Sequence, residues 1–158
     1  FNLINYFRMA YANNDLTRFL DAQNKLYLTA YSELKKGKKE PHWMWFIFPQ
    51  LKGLGKSTIA NYYALANLKE AEDYLNHPVL AKHLIEICQV LLEYKRKSIE
   101  AILGELDARK LCSSMTLFSQ VQNADPVFQE ILDVFFSGYS DSLTLSRIKA
   151  PLEIAMAS

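Results

Sequence analysis

Cysteine is scarce in this sequence: Cys88 and Cys112 are its two thiols, with no Cys-x-x-Cys and no Cys/His ligand spacing. That excludes a disulfide framework and a zinc site, and the expectation is reduced thiols, a cytoplasmic setting and no metal. Charge of one sign is also missing. The formal net charge is +1, so no global field draws in nucleic acid or a membrane surface. The longest apolar run, Trp43-Met44-Trp45-Phe46-Ile47-Phe48, is far below the roughly 20 residues of a membrane span. Phe1 to Tyr11 lacks the basic start and unbroken apolar stretch of a signal peptide; the chain opens on Phe, and Met9 is a candidate native start. Repeats, low-complexity tracts and long linkers are absent, which predicts one domain over 15–148, an extension over 1–14 and a tail over 149–158.

What is present is an ordinary globular balance. Half of the 158 residues are apolar and 22% are charged, enough to bury about two-thirds of the unfolded surface in a single core. Between Leu16 and Leu34 the apolar side chains follow helical spacing, with Asp15 as N-cap, Gly37 beyond the end and lysines at the negative end of the dipole. Gln23 interrupts that stripe, so its amide must be knitted into the core or face a cavity. Ser57 caps a helix reaching Ala66; Asn67 and Glu70 form a capping box for one reaching Leu75; Pro78 starts the next. Ser98 to Gly104 is a brief turn, Asp107 and Asp125-Pro126 open two further helices, and Asp141 caps a last one to Ile148. The prediction is an all-α bundle of about seven or eight short helices. Between Pro41 and Pro49 a short buried extended segment is expected at Trp43–Phe48.

Four places could carry chemistry. Phe46 to Ser57 has the outline of a phosphate loop, but the glycine needed four residues before Gly55-Lys56-Ser57 is Gln50, and no magnesium-binding strand follows. Either an anion rests on the backbone there or the segment is a plain turn with a serine cap. In the aromatic block, Trp43 and Trp45 beside His42 and Gln50 could stack a flat ring, or fill the core. Ser113, Ser114 and Thr116 stand on an apolar helix one turn beyond Lys110, where small residues also serve close packing. The lysines at 35, 36, 38 and 39 near two tryptophans suit single-stranded nucleic acid, though the helix dipole explains them more simply. Of the histidines, His77 reads as a cap or turn residue and His83 as a residue of the polar side of its helix.

His42-Trp43-Met44-Trp45-Phe46-Ile47-Phe48-Pro49-Gln50 with Gly53-Leu54-Gly55, then Tyr74 to Leu80, then Lys110-Leu111 and Ser113 to Phe118, closely resemble domain-of-unknown-function family 1810, whose members are sometimes mislabelled calpastatin. The resemblance runs from about Asp15 to Ile148. It implies a compact all-α fold like that of a mycobacterial protein of about this length, and it brings no reaction with it. The arginine of the family motif after Leu111 is Cys112 here. Family hallmark positions that map onto this chain include the polar residues Gln23, His42, Gln50, Ser57, Lys110, Ser113 and Ser114.

These readings combine into one expectation. Gln23 and Gln50 orient a nucleotide-like or phosphorylated small molecule, Trp43 or Trp45 stacks on it, and Gly55, Lys56, Ser57, Lys110, Ser113 and Ser114 complete the pocket. His42 is the acid–base residue if there is catalysis, and no separate cofactor is expected. An ADP-ribose or NAD derivative comes to mind only by analogy with other small helical proteins. The alternatives are a protein-interaction module, with an exposed apolar patch and a filled, dry interior behind Trp43, and, third, a single-stranded nucleic-acid binder. No membrane partner is expected, and the oligomeric state is left open.

Overall fold

The apolar stripes of the sequence close on one another as helices throughout. The computed structural model describes residues 16–39 and 42–157; the Asp15 cap, Pro41 and the 1–14 extension lie outside them. Among the described residues there are nine helices: α1 (Thr17–Lys35), α2 (Met44–Ile47), α3 (Thr58–Tyr63), α4 (Leu68–Asn76), α5 (Pro78–Leu92), α6 (Ile99–Leu103), α7 (Glu105–Ser119), α8 (Val127–Phe135) and α9 (Ser142–Ala157). No strand occurs among those residues; extended backbone meets once, in an isolated parallel bridge between Leu51 and Leu65.

Side-chain caps fix the helix starts. Oxygen acceptors of Ser57, Asn67 and Ser98 take the N–H groups of Ala60, Glu70 and Ala101 at 3.1, 2.9 and 3.2 Å, which satisfies donors that have no intrahelical partner. His77 does the same through Nδ1 for Val79, 3.2 Å away, with Pro78 leading α5. At the end of α1, Gly37 adopts φ +75° and its N–H reaches the Leu34 carbonyl, the left-handed stop for which glycine is suited.

Helix α1 packs along α5, α5 along α8, and α8 along α7. Their facing side chains, among them Phe19 and Leu34, Leu84 and Ile87, Met115 and Phe118, and Phe128 and Ile131, are excluded from water. A run of rings crosses this core: Phe19 meets Tyr74 edge-on at 5.2 Å, Tyr74 meets Phe118 at 5.3 Å, and Phe118 meets Phe128 at 5.6 Å. Each such pair adds about 0.5–1.5 kcal/mol beyond its burial. Glu70, buried at the start of α4, is matched by the Arg18 guanidinium at 2.6 Å and the Ala66 N–H at 3.1 Å, so α1 and α4 are joined by a paired rather than an orphaned charge.

Several sequence expectations change. The segment Trp43–Phe48 is not extended: Met44–Ile47 forms one helical turn, with Met44, Phe46, Ile47 and Phe48 all buried. A single turn surrounded by other helices can bury nearly every side chain, so the two-faced alternation expected of a strand does not arise. Helix α3 stops at Tyr63 rather than Ala66, because Leu65 turns away to exchange backbone hydrogen bonds with Gln50 and Lys52. Helix α7 begins at Glu105, with Asp107 inside its first turn, and α9 continues past Ile148 to Ala157.

Candidate functional site

The residues singled out in the sequence separate into distinct settings. Gly55 is close-packed: a Cβ there would come within 2.5 Å of the Ala60 Cβ, so the position serves the turn into α3. Ser57 caps that six-residue helix and Lys56 is exposed. The Ser113 hydroxyl donates to the Arg109 carbonyl and to Asp141, each at 3.2 Å, and Asp141 also takes the Thr144 N–H at 3.0 Å. Ser113 therefore helps to hold the cap of α9. Ser114 is fully buried, and its hydroxyl has no hydrogen-bond partner among the described residues. Gln50 is half-buried and contributes its backbone carbonyl to Leu65. His42 carries φ +97° and an exposed ring, and no described residue hydrogen-bonds that ring.

Two of the predicted residues do meet. The Lys110 ammonium lies 5.1 Å above the half-buried Trp45 ring, and Asp107 pairs with both Lys110 at 3.3 Å and Lys39 at 2.8 Å. Lys39 in turn lies 4.9 Å over Trp43. The Trp43 indole is 2% exposed and donates its N–H to Glu33 at 2.5 Å. The ion pairs and ring contacts of this cluster brace α1, α2 and α7 against one another. Lys35 and Lys39, two of the four clustered lysines, are engaged with Glu93 and Asp107.

Gln23 has a different setting, in which its amide orients the His83 ring. Its Nε2 donates to the Phe46 carbonyl at 2.8 Å and to the Tyr74 hydroxyl at 2.9 Å, and its Oε1 lies 2.8 Å from Nδ1 of His83. A carbonyl can only accept, so the atom facing Phe46 must be the amide nitrogen, and the atom facing His83 is then the oxygen. Because Oε1 only accepts, Nδ1 must carry the proton. The neutral ring therefore keeps its lone pair on Nε2. The ring is stacked on Tyr27, centroids 3.7 Å apart and planes 9° off parallel, and the Tyr27 hydroxyl donates to Glu86 at 2.8 Å. Burial lowers the His83 pKa, with Lys82 adding to that effect and Glu86 opposing it. Burial, and after it the bond to Glu86, holds the Tyr27 hydroxyl in its neutral form.

His83 and Gln23 line a hollow of about 280 Å³ between α1 and α5, with Leu20, Asp21, Asn24 and Val79. A second of about 290 Å³ follows on the same pair of helices, walled by Tyr27, Tyr31, Glu86 and Glu93. A larger one, about 480 Å³, lies between α4, α5 and the α7–α8 turn, but it holds no side chain with an enforced protonation state. Chemistry favours the smaller one. A site needs an oriented group more than it needs volume.

Sequence reading singled out Gln23 but not its partners Tyr74 and His83, nor Tyr27, stacked on His83, and Glu86, which accepts from Tyr27. His83 was assigned to the polar side of its helix; instead it is half-buried against α1. The signal was its spacing, three residues after Leu80 and four before Ile87, which places it on the edge of the apolar stripe. No group of three or more metal-ligating side chains occurs among the described residues, and no helix among them is long and apolar enough to cross a membrane.

Comparison with known proteins agrees with the fold and supplies no reaction. The family model described as "Protein of unknown function (DUF1810)" matches residues 13–148. The chain is similar to the conserved hypothetical protein Rv1873 from Mycobacterium tuberculosis, known from its crystal structure. The two are 41% identical with a TM-score of 0.84, covering 86% of this chain and 97% of that one. No curated protein matches.

Proposed function

The chain belongs to the DUF1810 family, whose function is unknown, and from its own side chains we propose that it is a small-molecule-binding protein whose reactive group is His83, in the α1–α5 cleft. One observation carries this reading: the buried amide of Gln23, held by Phe46 and Tyr74, leaves His83 as the Nδ1–H tautomer. Orienting an imidazole by hydrogen-bonding one nitrogen is how proteins prepare the other as acceptor or general base. A lowered pKa keeps that base unprotonated near neutral pH.

His83 takes the role that the sequence assigned to His42. The nucleotide-like ligand rested on Gln23, His42, Gln50 and Ser114 surrounding one hollow, and these four residues occupy separate settings. Asp21 on the cleft wall further disfavours a phosphate, since like charges repel. In the interaction-module alternative the interior behind Trp43 is dry, and the burial of Trp43 is in keeping with that feature. An interaction module has no use, however, for an imidazole poised over a polar hollow.

A thermal-shift panel of amines, alcohols, sugars, nucleotides and NAD derivatives tests the reading. The expected result is a stabilising compound whose effect disappears in His83→Gln and persists in His42→Ala and Lys110→Ala. Stabilisation lost in the latter two variants and kept in His83→Gln would place the site at the tryptophan segment and end this proposal.

A further inference from the structure

The glycine turn between α2 and α3 shares no lining residue with the α1–α5 cleft, and it gathers positive charge that nothing matches. Lys52, Lys56 and, from α9, Arg147 are exposed. None of the three side chains has an ion-pair, hydrogen-bond or ring partner among the described residues. No aspartate or glutamate occurs between Glu40 and Glu70, nor between Asp141 and Glu153, so the two stretches that meet here bring no carboxylate of their own. From this juxtaposition we infer that the Gly53–Lys56 turn, backed by Arg147, binds a phosphate group, free or carried by a small phosphorylated molecule.

Glycine makes room for the arginine. Gly53 turns through φ +95°, and a Cβ on it would come within 2.4 Å of Nη1 and 2.8 Å of Cζ of Arg147. The guanidinium therefore rests against a bare stretch of main chain, in the space a side chain would take. Making no hydrogen bond to the described residues, it keeps its planar fork of donors for another acceptor. The N–H groups of Gly53, Gly55 and Lys56 likewise reach no acceptor among those residues. Backbone donors of a glycine turn, beside an arginine and two lysines, suit an oxyanion with several acceptor atoms.

Charge selects the class of anion. A phosphate monoester brings about 1.5–2 negative charges and three acceptor oxygens, enough to engage the arginine fork, a lysine and a backbone N–H together. A carboxylate, with a single charge and two oxygens, leaves part of this set unused. A nucleic-acid backbone would need the positive charge to continue as a stripe. Here it stops: between Glu40 and Glu70 the only other lysine or arginine is Lys69, which is paired with Asp73 at 3.0 Å.

The test is an NMR titration of the ¹⁵N-labelled full chain with inorganic phosphate and with ribose 5-phosphate, at neutral pH and constant ionic strength, with acetate as the control anion. Saturable shifts are expected at the amides of Gly53, Gly55 and Lys56 and at the Arg147 side-chain Nε–H. Binding should weaken about fivefold in Arg147→Gln, the equivalent of one exposed ion pair, and less in Arg147→Lys, which keeps the charge and loses the fork. Lys56→Gln should also weaken it, whereas Lys95→Gln, at an exposed lysine beyond α5, should not. Tighter binding of ribose 5-phosphate assigns the site to a phosphorylated molecule and equal binding assigns it to the free anion; both sustain the inference. Acetate reproducing the shifts, an affinity unchanged in Arg147→Gln, or no response to either phosphate would overturn it. So would saturation by a thymidine octamer where neither phosphate binds, which would make the turn part of a nucleic-acid surface. The cleft amides of Asn24, Val79 and His83 should stay still throughout, so this inference and the His83 reading stand or fall separately.

Discussion

Oε1 of Gln23 lies 2.8 Å from Nδ1 of His83, and this contact determines which nitrogen of the ring is basic. Its direction is set elsewhere, by the Phe46 carbonyl and the Tyr74 hydroxyl that take both protons of the amide. The packed core therefore reaches the surface cleft through one glutamine: a helical turn rich in aromatics positions a carbonyl, the carbonyl orients an amide, and the amide fixes a tautomer.

Replacing Gln23 with leucine should destabilise the protein by about 3 kcal/mol, because a buried carbonyl and a buried hydroxyl lose their partners. Urea unfolding measures this directly. A loss below about 1 kcal/mol would mean that the neighbours find other partners and that the amide is not structural.

The lowered pKa of His83 has a sign that can be checked. Between the folded value and the ordinary unfolded value near 6.5, the unfolded chain binds more protons, so stability rises with pH across that window and levels off above it. The His83 contribution is thus complete above about pH 6.5 and declines as the solution is acidified. Melting temperatures of the wild type and His83→Gln should diverge least at low pH and most near neutrality, after allowance for the common acid dependence. Parallel curves would show that burial does not disfavour the imidazolium.

The two tryptophans should differ in access. Trp43 is enclosed and bonded to Glu33, whereas Trp45 lies half-buried beneath Lys110. Acrylamide should quench the emission of Trp43→Phe, in which Trp45 remains, far more than that of Trp45→Phe. Equal quenching would contradict the enclosure of Trp43.

Asp107 is expected to matter more than either lysine contact suggests. The Lys39 side chain is 3% exposed and its ammonium lies 2.8 Å from this carboxylate, so Asp107→Asn removes negative charge from beside a buried cation and should cost about 3 kcal/mol. Lys110→Ala breaks a more exposed pair and should cost under about 1 kcal/mol. Chemical denaturation of the two variants tests the ranking.

Much of the architecture was legible because it rests on local rules. The caps at Ser57, Asn67, His77 and Ser98 and the stop at Gly37 follow from short-range chemistry that sequence displays directly. The aromatic segment misled because seven residues between two prolines carry too little periodicity to separate a strand from a single helical turn, and burial on all sides removed what pattern there was. The site was half legible. An amide on the apolar stripe of α1 signalled a buried polar network, but its partners come from helices 51 and 60 residues away, and no local pattern pairs Gln23 with His83. Ser57 and Ser113 attracted attention as polar residues at distinctive positions, and the side chain of each proves to bond helix backbone or a cap. Polar identity alone does not distinguish a structural hydrogen bond from a ligand contact.

The central claim reduces to the position of one proton. Long-range ¹H–¹⁵N correlation spectra of the histidine side chains, recorded above pH 7, report it for His83 without any ligand. The account predicts a protonated Nδ1 and a bare, lone-pair-bearing Nε2, with the pattern lost in Gln23→Leu. A proton found on Nε2 would contradict it, because the Gln23 amide would then have to face its oxygen toward the carbonyl of Phe46.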